Sequence, residues 1–376
     1  MFDQLTLEGL RGVGRVELGF EPGFRVRTLF GANGVGKTKC LEAIYQWLLF
    51  SNRQFLDSGL RLPLPAEKVV MQRVMDAEGQ SFDRPEPWVS RDVPFASSGH
   101  LHDRPVLLLG ARGRSVLVNE AGGHDRAPLG VFDQRHERYL RGVSQLLNHG
   151  DLATAGMTGD AQTWFVQRAQ SVNPYQKAAD NLQAEINAVL EMLHAVDERI
   201  EARTLQIDGA GRVFLQVEGQ MRGLDELSSG FASLVRLMQA IVAGYASFTN
   251  EPNLRHVRGV VLIDEIESHL HARWQSQIIP TLKKLLPHTT FFIATHSPLV
   301  LAQLEEGEAY LLKRDPDNVV RTHVIDSPNR RAFADVLDDT LGVDLNTLKR
   351  SAMQQGDQSE AKRKLRELLP NTPEQP

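Results

Sequence analysis

The chain has 376 residues, 41% of them hydrophobic and 24% charged, an ordinary balance for a folded protein with a sizeable core. A net charge of −5 at pH 7 excludes a surface that is a nucleic-acid footprint all over, leaving room only for a local basic stripe. The single cysteine, Cys40, excludes an intramolecular disulfide framework and any paired-cysteine zinc or redox motif. The opening MFDQLTLEGL lacks the charged and apolar segments of a signal peptide, and no apolar run approaches the roughly 18 residues of a membrane span. A cytoplasmic protein with no membrane partner is the expectation.

Residues 2–30 read as strands: Phe2, Leu5 and Leu7 carry apolar side chains, while Val13–Phe20 and Phe24–Phe30 alternate, with Gly12 and Pro22-Gly23 as punctuation. At Gly31 the pattern changes. Lys37–Phe50 places Leu41, Ile44, Leu48 and Leu49 at a helical period, so a strand enters a glycine-rich loop and a helix leaves it. Residues 51–104, rich in Pro, Arg and Asp, predict a loop-rich insertion with strand character around Val69–Met75. Val106–Leu109 is a strand that ends in Gly110-Ala111-Arg112-Gly113-Arg114, and the glycine-rich segment 121–160 is expected to be irregular.

Residues 160–202 predict a helical stretch. Leu182, Ile186, Val189, Leu190, Leu193, Val196 and Ile200 form an amphipathic stripe, too short for a long coiled-coil arm. Leu205–Ile207 and Val213–Val217 are short strands, and a helix runs from Leu227 to Ala246. Val260–Ile263 is apolar without alternation, as in a parallel sheet covered on both faces. A helix over Leu270–Leu285 and a second buried strand, Thr290–Ala294, follow. Tyr310–Lys313 and Val319–Val324 predict a hairpin. Beyond Gln354 the charged, Pro-ended tail predicts a helix and a frayed end.

The chemistry lies in four places. Gly31-Ala32-Asn33-Gly34-Val35-Gly36-Lys37-Thr38 fits GxxxxGK[ST] throughout. Glycines let the backbone aim several N–H groups at one point, and the helix N-terminus adds partial positive charge beneath bound phosphates. Lys37 supplies a full charge to β- and γ-phosphates, Thr38 offers a hydroxyl to Mg²⁺, and Lys39 continues the binding loop. At the end of Val260–Ile263 stand Asp264, suited to hold Mg²⁺, and Glu265, suited to orient an attacking water. His296 follows Phe291–Thr295, where a histidine can sense a γ-phosphate. Leu227-Ser228-Ser229-Gly230 opens a helix, and Ser228 and Gly230 with the free amides of the first turn make a second anion site as well as a cap.

These motifs, in this order, resemble the ATP-binding cassette superfamily. Gly31–Thr38 resembles Walker A, Leu227–Gly230 the LSGG signature, Val260–Glu265 Walker B and His296 the switch histidine. FDQLTLEGLRGV, IDEIESHLHARWQ and ATHSPLVLAQLEEGEAYLL resemble the RecF/SMC-like and OLD-type branch, and within it the compact AAA-type ATPases of bacterial anti-phage and toxin-like systems. The resemblance covers residues 1–50, 105–115 and 205–345. It implies an α/β fold: a P-loop, ABC-type ATPase head with an antiparallel N-terminal sheet and a mainly helical insertion. The expected parts are an N-terminal lobe with Walker A (1–50), an insertion that is loop-rich then helical (51–204), a C-terminal lobe with signature, Walker B and switch histidine (205–345), and a charged tail (346–376).

By the same resemblance the cofactors are ATP and Mg²⁺, and the catalytic set is Glu265, His296 and Lys37. The nucleotide is bound by Gly31, Asn33, Gly34, Val35, Gly36, Lys37, Thr38 and Lys39, and the metal by Thr38 and Asp264. Ser228 and Gly230 of one copy would complete the site of another in a homodimer or higher oligomer, with Glu267–His271 as the D-loop along the interface. The signature departs from that of transporters at Ser229 and Phe231. A Q-loop glutamine is not evident; Gln134 and Arg112 are the candidates. His269 and His271 are taken as D-loop residues ahead of a metal pair.

Long coiled coils with a CxxC hook, usual in SMC-like repair ATPases, are not seen. The 80 residues after His296 are too few for the nuclease domain of OLD-type enzymes, and Asp335, Asp338, Asp339 and Asp344 read as a solvated helix face. The expectation is an Mg-dependent ATPase that switches a separate effector, a nuclease or toxin, in an anti-phage defence complex. Two alternatives remain open: a RecF-like DNA-binding ATPase of repair or replication maintenance, and an ATP-binding scaffold without turnover.

Overall fold

Apolar strands buried on both faces dictate the architecture. VRTLF at Val26–Phe30, VLLL at Val106–Leu109 and VVLI at Val260–Ile263 are each buried at every position. Such strands fit only the middle of a sheet with layers on both sides. A computed structural model describes residues 2–58, 62–63, 68–83, 88–89, 100–117, 129–157, 159–177, 180–251 and 253–330.

The chain begins with β1 (Gln4–Leu10), β2 (Gly14–Gly19) and β3 (Val26–Phe30), then α1 (Lys37–Phe50) and α2 (Arg53–Asp57). Four short strands follow: β4 (Leu62–Pro63), β5 (Arg73–Met75), β6 (Ser81–Asp83) and β7 (Trp88–Val89). β8 (Val106–Leu109) leads into α3 (Phe132–His149), α4 (Ala161–Gln170) and α5 (Gln183–Val196). β9 (Ile200–Ile207), β10 (Val213–Val217) and β11 (Gln220–Gly223) form a separate antiparallel sheet. After α6 (Ser229–Phe248) come β12 (Val260–Ile263), α7 (Ala272–Gln275), α8 (Ile278–Leu285), β13 (Thr290–Thr295) and α9 (Pro298–Leu301). The hairpin β14 (Ala309–Arg314) and β15 (Val320–Val324) comes last among the described elements.

Ten strands form the main sheet, in the order β6-β5-β1-β2-β15-β14-β3-β13-β12-β8. From β14 to β8 every pairing is parallel. The antiparallel N-terminal strands belong to the same sheet, joined to the parallel half through β15 and β14. Arg27 is buried in this half, with its guanidinium 4.9 Å from the Phe20 ring centre and 5.5 Å from that of Phe292, and bonded to Asp3 at 2.6 Å.

Four expectations need correction. Within 121–160, residues 132–149 are a regular helix: Leu140, Val143 and Leu147 are buried at helical spacing, and Gly142 had disguised the stripe. The helical stretch 160–202 breaks into α4 and α5, because Pro174 lacks an N–H and disfavours helix at Asn173; Ile200 already belongs to β9. The helix over Leu270–Leu285 is interrupted between Gln275 and Ile278, since Pro280 cannot bond back to Ser276 and sits instead in the first turn of α8. α6 is also long and apolar enough to cross a membrane, contrary to the reading of the sequence, but most of it is buried inside the fold. The acidic residues Asp335–Asp344 and the tail lie outside the described residues.

Phe292 is fully buried on β13, stacked on Phe2 at 5.6 Å between ring centres. Phe292→Ala should destabilise the protein by about 3–5 kcal/mol in denaturant unfolding. A loss below about 1 kcal/mol would mean that this cluster does not anchor the sheet.

Candidate functional site

The register of the parallel strands brings four chain segments out at one edge. Thr295 pairs with Phe30, Ile293 with Ile263, and Ile263 with Leu109. Gly31 and His296 therefore leave the sheet side by side, as do Asp264 and Gly110, with β13 running two residues beyond its last pairing with β12. β13 lies between β3 and β12, so His296 stands between the glycine-rich loop and the Asp264-Glu265 pair.

The loop after β3 is shaped by its glycines. Gly31 has φ 150° and Gly36 φ 111°, in the region that favours glycine. A Cβ at Gly31 would come within 2.7 Å of the Leu312 carbonyl oxygen, and one at Gly36 within 2.7 Å of Val13 Cγ2. Ala32, Asn33 and Gly34 are exposed, Val35 half-buried. Lys37 is the first residue of α1, and its side chain folds back over the loop: Nζ donates to the carbonyls of Gly31 at 2.8 Å and Ala32 at 3.0 Å. Lys39 instead pairs with Glu42 at 2.5 Å. Burial pushes the Cys40 thiol up to about 12, which leaves no thiolate beneath the loop.

Residues far apart in sequence meet here. Thr38 Oγ1 donates to the Asp264 carboxylate, 3.1 Å from Oδ1 and 3.0 Å from Oδ2. Lys37 Nζ lies 3.3 Å from His296 Nδ1. Burial lowers Lys37 to about 8 and raises Asp264 to about 6. His296 is also lowered, first by burial and then by the charge of Lys37, so it is neutral at pH 7. Glu265 is exposed and has a left-handed backbone, φ 45°. Glu267 accepts from Thr295 Oγ1 at 2.7 Å and from the His296 amide at 2.6 Å, tying the turns after β12 and β13 together.

The two Q-loop candidates are elsewhere. Arg112 is exposed and paired with Asp151 at 2.6 Å. Gln134 lies in the first turn of α3 and accepts from the Val131 amide at 3.2 Å. The arginine that reaches the site is Arg114, two positions on. It is 1% exposed and bonds the carbonyls of Gly110 at 2.9 Å, Glu265 at 2.6 Å and Asp264. Sequence reasoning passed over it; the only signal was the second arginine of GARGR.

Ser228 caps α6 and is exposed, while Gly230, the second residue of the helix, is buried. A Cβ at Gly230 would sit 3.0 Å from the His269 carbonyl oxygen, so glycine lets the Glu267–His271 turn pass close over this helix end. No hydrogen bond among the described residues joins Ser228 or Gly230 to the Gly31–Thr38 loop. Phe231 packs edge-on against Trp274 at 4.7 Å, with the Arg199 guanidinium 5.6 Å from its ring centre. Trp274 Nε1 donates to the buried Asp197 at 2.9 Å. His271 precedes α7 and lies 5.1 Å from the Trp274 ring; among the described residues no group of three or more metal-ligating side chains forms around it.

These residues fit a magnesium triphosphate. Gly31 and Gly36 leave no room for a Cβ against Leu312 and Val13, Lys37 spends its donors on loop carbonyls that a phosphate oxygen would replace, and a hydroxyl faces a carboxylate, the oxygen donor set of Mg²⁺.

The chain is similar in sequence to several known proteins. Residues 181–302 match the family described as AAA domain, putative AbiEii toxin, Type IV TA system. The Septu protein PtuA of Bacillus thuringiensis is 22% identical over 354 residues, which are 91% of this chain and 84% of that protein. A Septu protein PtuA of Bacillus mycoides (strain KBAB4) is 34% identical over 319 residues, 81% of this chain but 38% of that longer protein. The Retron Ec83 probable ATPase of Escherichia coli is 37% identical over 89 residues, 23% of this chain and 16% of that one. Among solved structures, the SMC head domain from Thermotoga maritima aligns over 87% of this chain and all of its own, with 13% identity and a TM-score of 0.44.

The lowered Lys37 gives a pH test. An ammonium must be protonated to grip phosphate, and this one titrates at about 8. Triphosphate affinity should be flat below that pH and fall as the pH rises through it, by up to about tenfold per unit. Equilibrium binding of a fluorescent ATP analogue across this window is the measurement; affinity that holds or rises with pH would remove Lys37 from the phosphate site.

Proposed function

We propose that this chain, an ABC-type ATPase head of the SMC-like branch, hydrolyses Mg-ATP and uses the bound nucleotide to join two copies of itself, thereby switching a separate effector protein in an anti-phage defence complex. The observation that carries the reading is the bond between Thr38 and Asp264 beside Lys37 and His296: the motifs of β3, β12 and β13 share one edge of one sheet.

The roles follow from that arrangement. The amides of the Gly31–Thr38 loop and Lys37 bind the phosphates; Asn33, Gly34, Val35 and Lys39 border them. Thr38 and Asp264 hold Mg²⁺, which, when bound, neutralises charge developing on the transferred phosphoryl group. Glu265, exposed at the edge, orients the attacking water and receives its proton. His296, neutral and next to Lys37, donates to the γ-phosphate and registers its loss. Glu267 fixes the His296 backbone.

Among the described residues Ser228 and Ser229 make no hydrogen bond to the phosphate loop of their own chain and are exposed, which supports their use on the nucleotide of a second copy. The relatives named as Septu proteins and retron ATPases support the defence assignment, and the effector is inferred to be a nuclease or toxin on a different chain.

Lys37→Ala should weaken ATP binding by at least about 100-fold in calorimetry, because a buried charge-assisted contact to phosphate is lost. Unchanged affinity would mean that the phosphates bind elsewhere. Glu265→Gln should bind ATP normally, lose turnover by a factor on the order of 100 to 10,000, and accumulate as a dimer in size-exclusion chromatography with Mg-ATP. Hydrolysis at the wild-type rate in this variant would move the base to another residue.

A further inference from the structure

Arg114 has no part in the roles above, yet it is the most completely buried charge near the site. Burying a guanidinium costs several kcal/mol unless its donors are met. Here they are met entirely by backbone. Nε donates to the Gly110 carbonyl at 2.9 Å and one terminal nitrogen to that of Glu265 at 2.6 Å; the other reaches Leu109 at 3.3 Å and Asp264. Leu109 is the last residue of β8 and Gly110 follows it, while Asp264 and Glu265 are the two residues that follow β12.

Three of these carbonyls, those of Gly110, Asp264 and Glu265, lie beyond the sheet ladder; the fourth, that of Leu109, also accepts its last bond. Ladder pairing of β12 with β8 stops at Ile263 and Leu109, and the last bond between them is from the Asp264 amide to the Leu109 carbonyl at 3.0 Å. One residue later the chain turns through the left-handed conformation of Glu265, φ 45°. For a residue with a side chain that conformation costs about 1–2 kcal/mol, so the surroundings must hold it. The Glu265 carbonyl is held from two sides, by Arg114 and by the Ser268 amide at 2.8 Å. The direction of the Glu265 side chain is set by that same turn.

We propose that Arg114 is a positioning residue for ATP hydrolysis: its guanidinium fork clamps the Asp264-Glu265 turn against the end of β8 and so aims the Glu265 carboxylate at the phosphate site. The inference rests on the hydrolytic reading given above. A lysine keeps the charge and most of the stem but lacks the planar fork, and cannot hold the Asp264 and Glu265 carbonyls together with those of Leu109 and Gly110.

The test uses the full chain. In Arg114→Lys, affinity for a fluorescent ATP analogue should stay within about threefold of wild type while kcat at saturating Mg-ATP falls about 100-fold, the cost of a misaimed reacting group. In Arg114→Ala, millimolar guanidinium should restore at least about tenfold of the lost kcat without changing affinity. A purely structural arginine would instead lower the melting temperature and reduce binding and turnover together. The proposal is overturned if Arg114→Lys turns over at the wild-type rate or loses affinity in step with kcat; that variant decides the question alone if Arg114→Ala does not fold. Wild-type protein that binds ATP through Lys37 and shows no turnover fails the hydrolytic reading, a separate outcome.

Discussion

The parallel pairing of β3, β13 and β12 is the constraint on which the rest of the molecule depends. Because these strands run the same way and end within two residues of one another, their next residues emerge at one edge, and a loop, a carboxylate pair and a histidine become neighbours. Each strand is buried on both faces, so none can slip by a residue without moving its neighbours out of register. The antiparallel strands and the hairpin β14–β15 extend the sheet on the far side of β3 and leave that edge free.

Charge is gathered at this edge at some cost. Burial drives Lys37 down to about 8, Arg114 down to about 10 and Asp264 up to about 6, each toward its neutral form. Their mutual attraction opposes the effect. Lys37 and Arg114 are both drawn by Asp264, Glu265 and Glu267. Lys37 is held on the loop carbonyls and Thr38 on the Asp264 carboxylate, contacts that a bound phosphate and metal ion would replace.

A second cluster ties the opening of α6 to the segment after the Glu267–His271 turn. Phe231 packs on Trp274, Trp274 is bonded to Asp197 between α5 and β9, and the Arg199 guanidinium holds Asp197 down at about 2. The helix end bearing Ser228 is thus joined through packed rings to the turn whose Glu267 holds His296.

Several elements were legible from sequence because their causes are local. The glycine pattern with Lys37 and Thr38, the helix Lys37–Phe50 and the strand Val260–Ile263 ending in two acids each follow from residues within a few positions of one another. Helix α3 was not, because Gly142 interrupts a stripe that only packing reveals; nor were the breaks at Pro174 and Pro280 weighed against the apolar periodicity around them. Arg114 was beyond reach for a deeper reason. A bond from its guanidinium to the Asp264 carbonyl spans 150 positions and uses backbone oxygens, which every residue has, so no residue type at the far end betrays it. The order of strands in the sheet is of the same kind. Sequence by itself determined which residues can bind phosphate, metal and water, since that depends on side-chain chemistry; tertiary structure alone decided that they meet, since strand adjacency is settled by burial across the whole sheet.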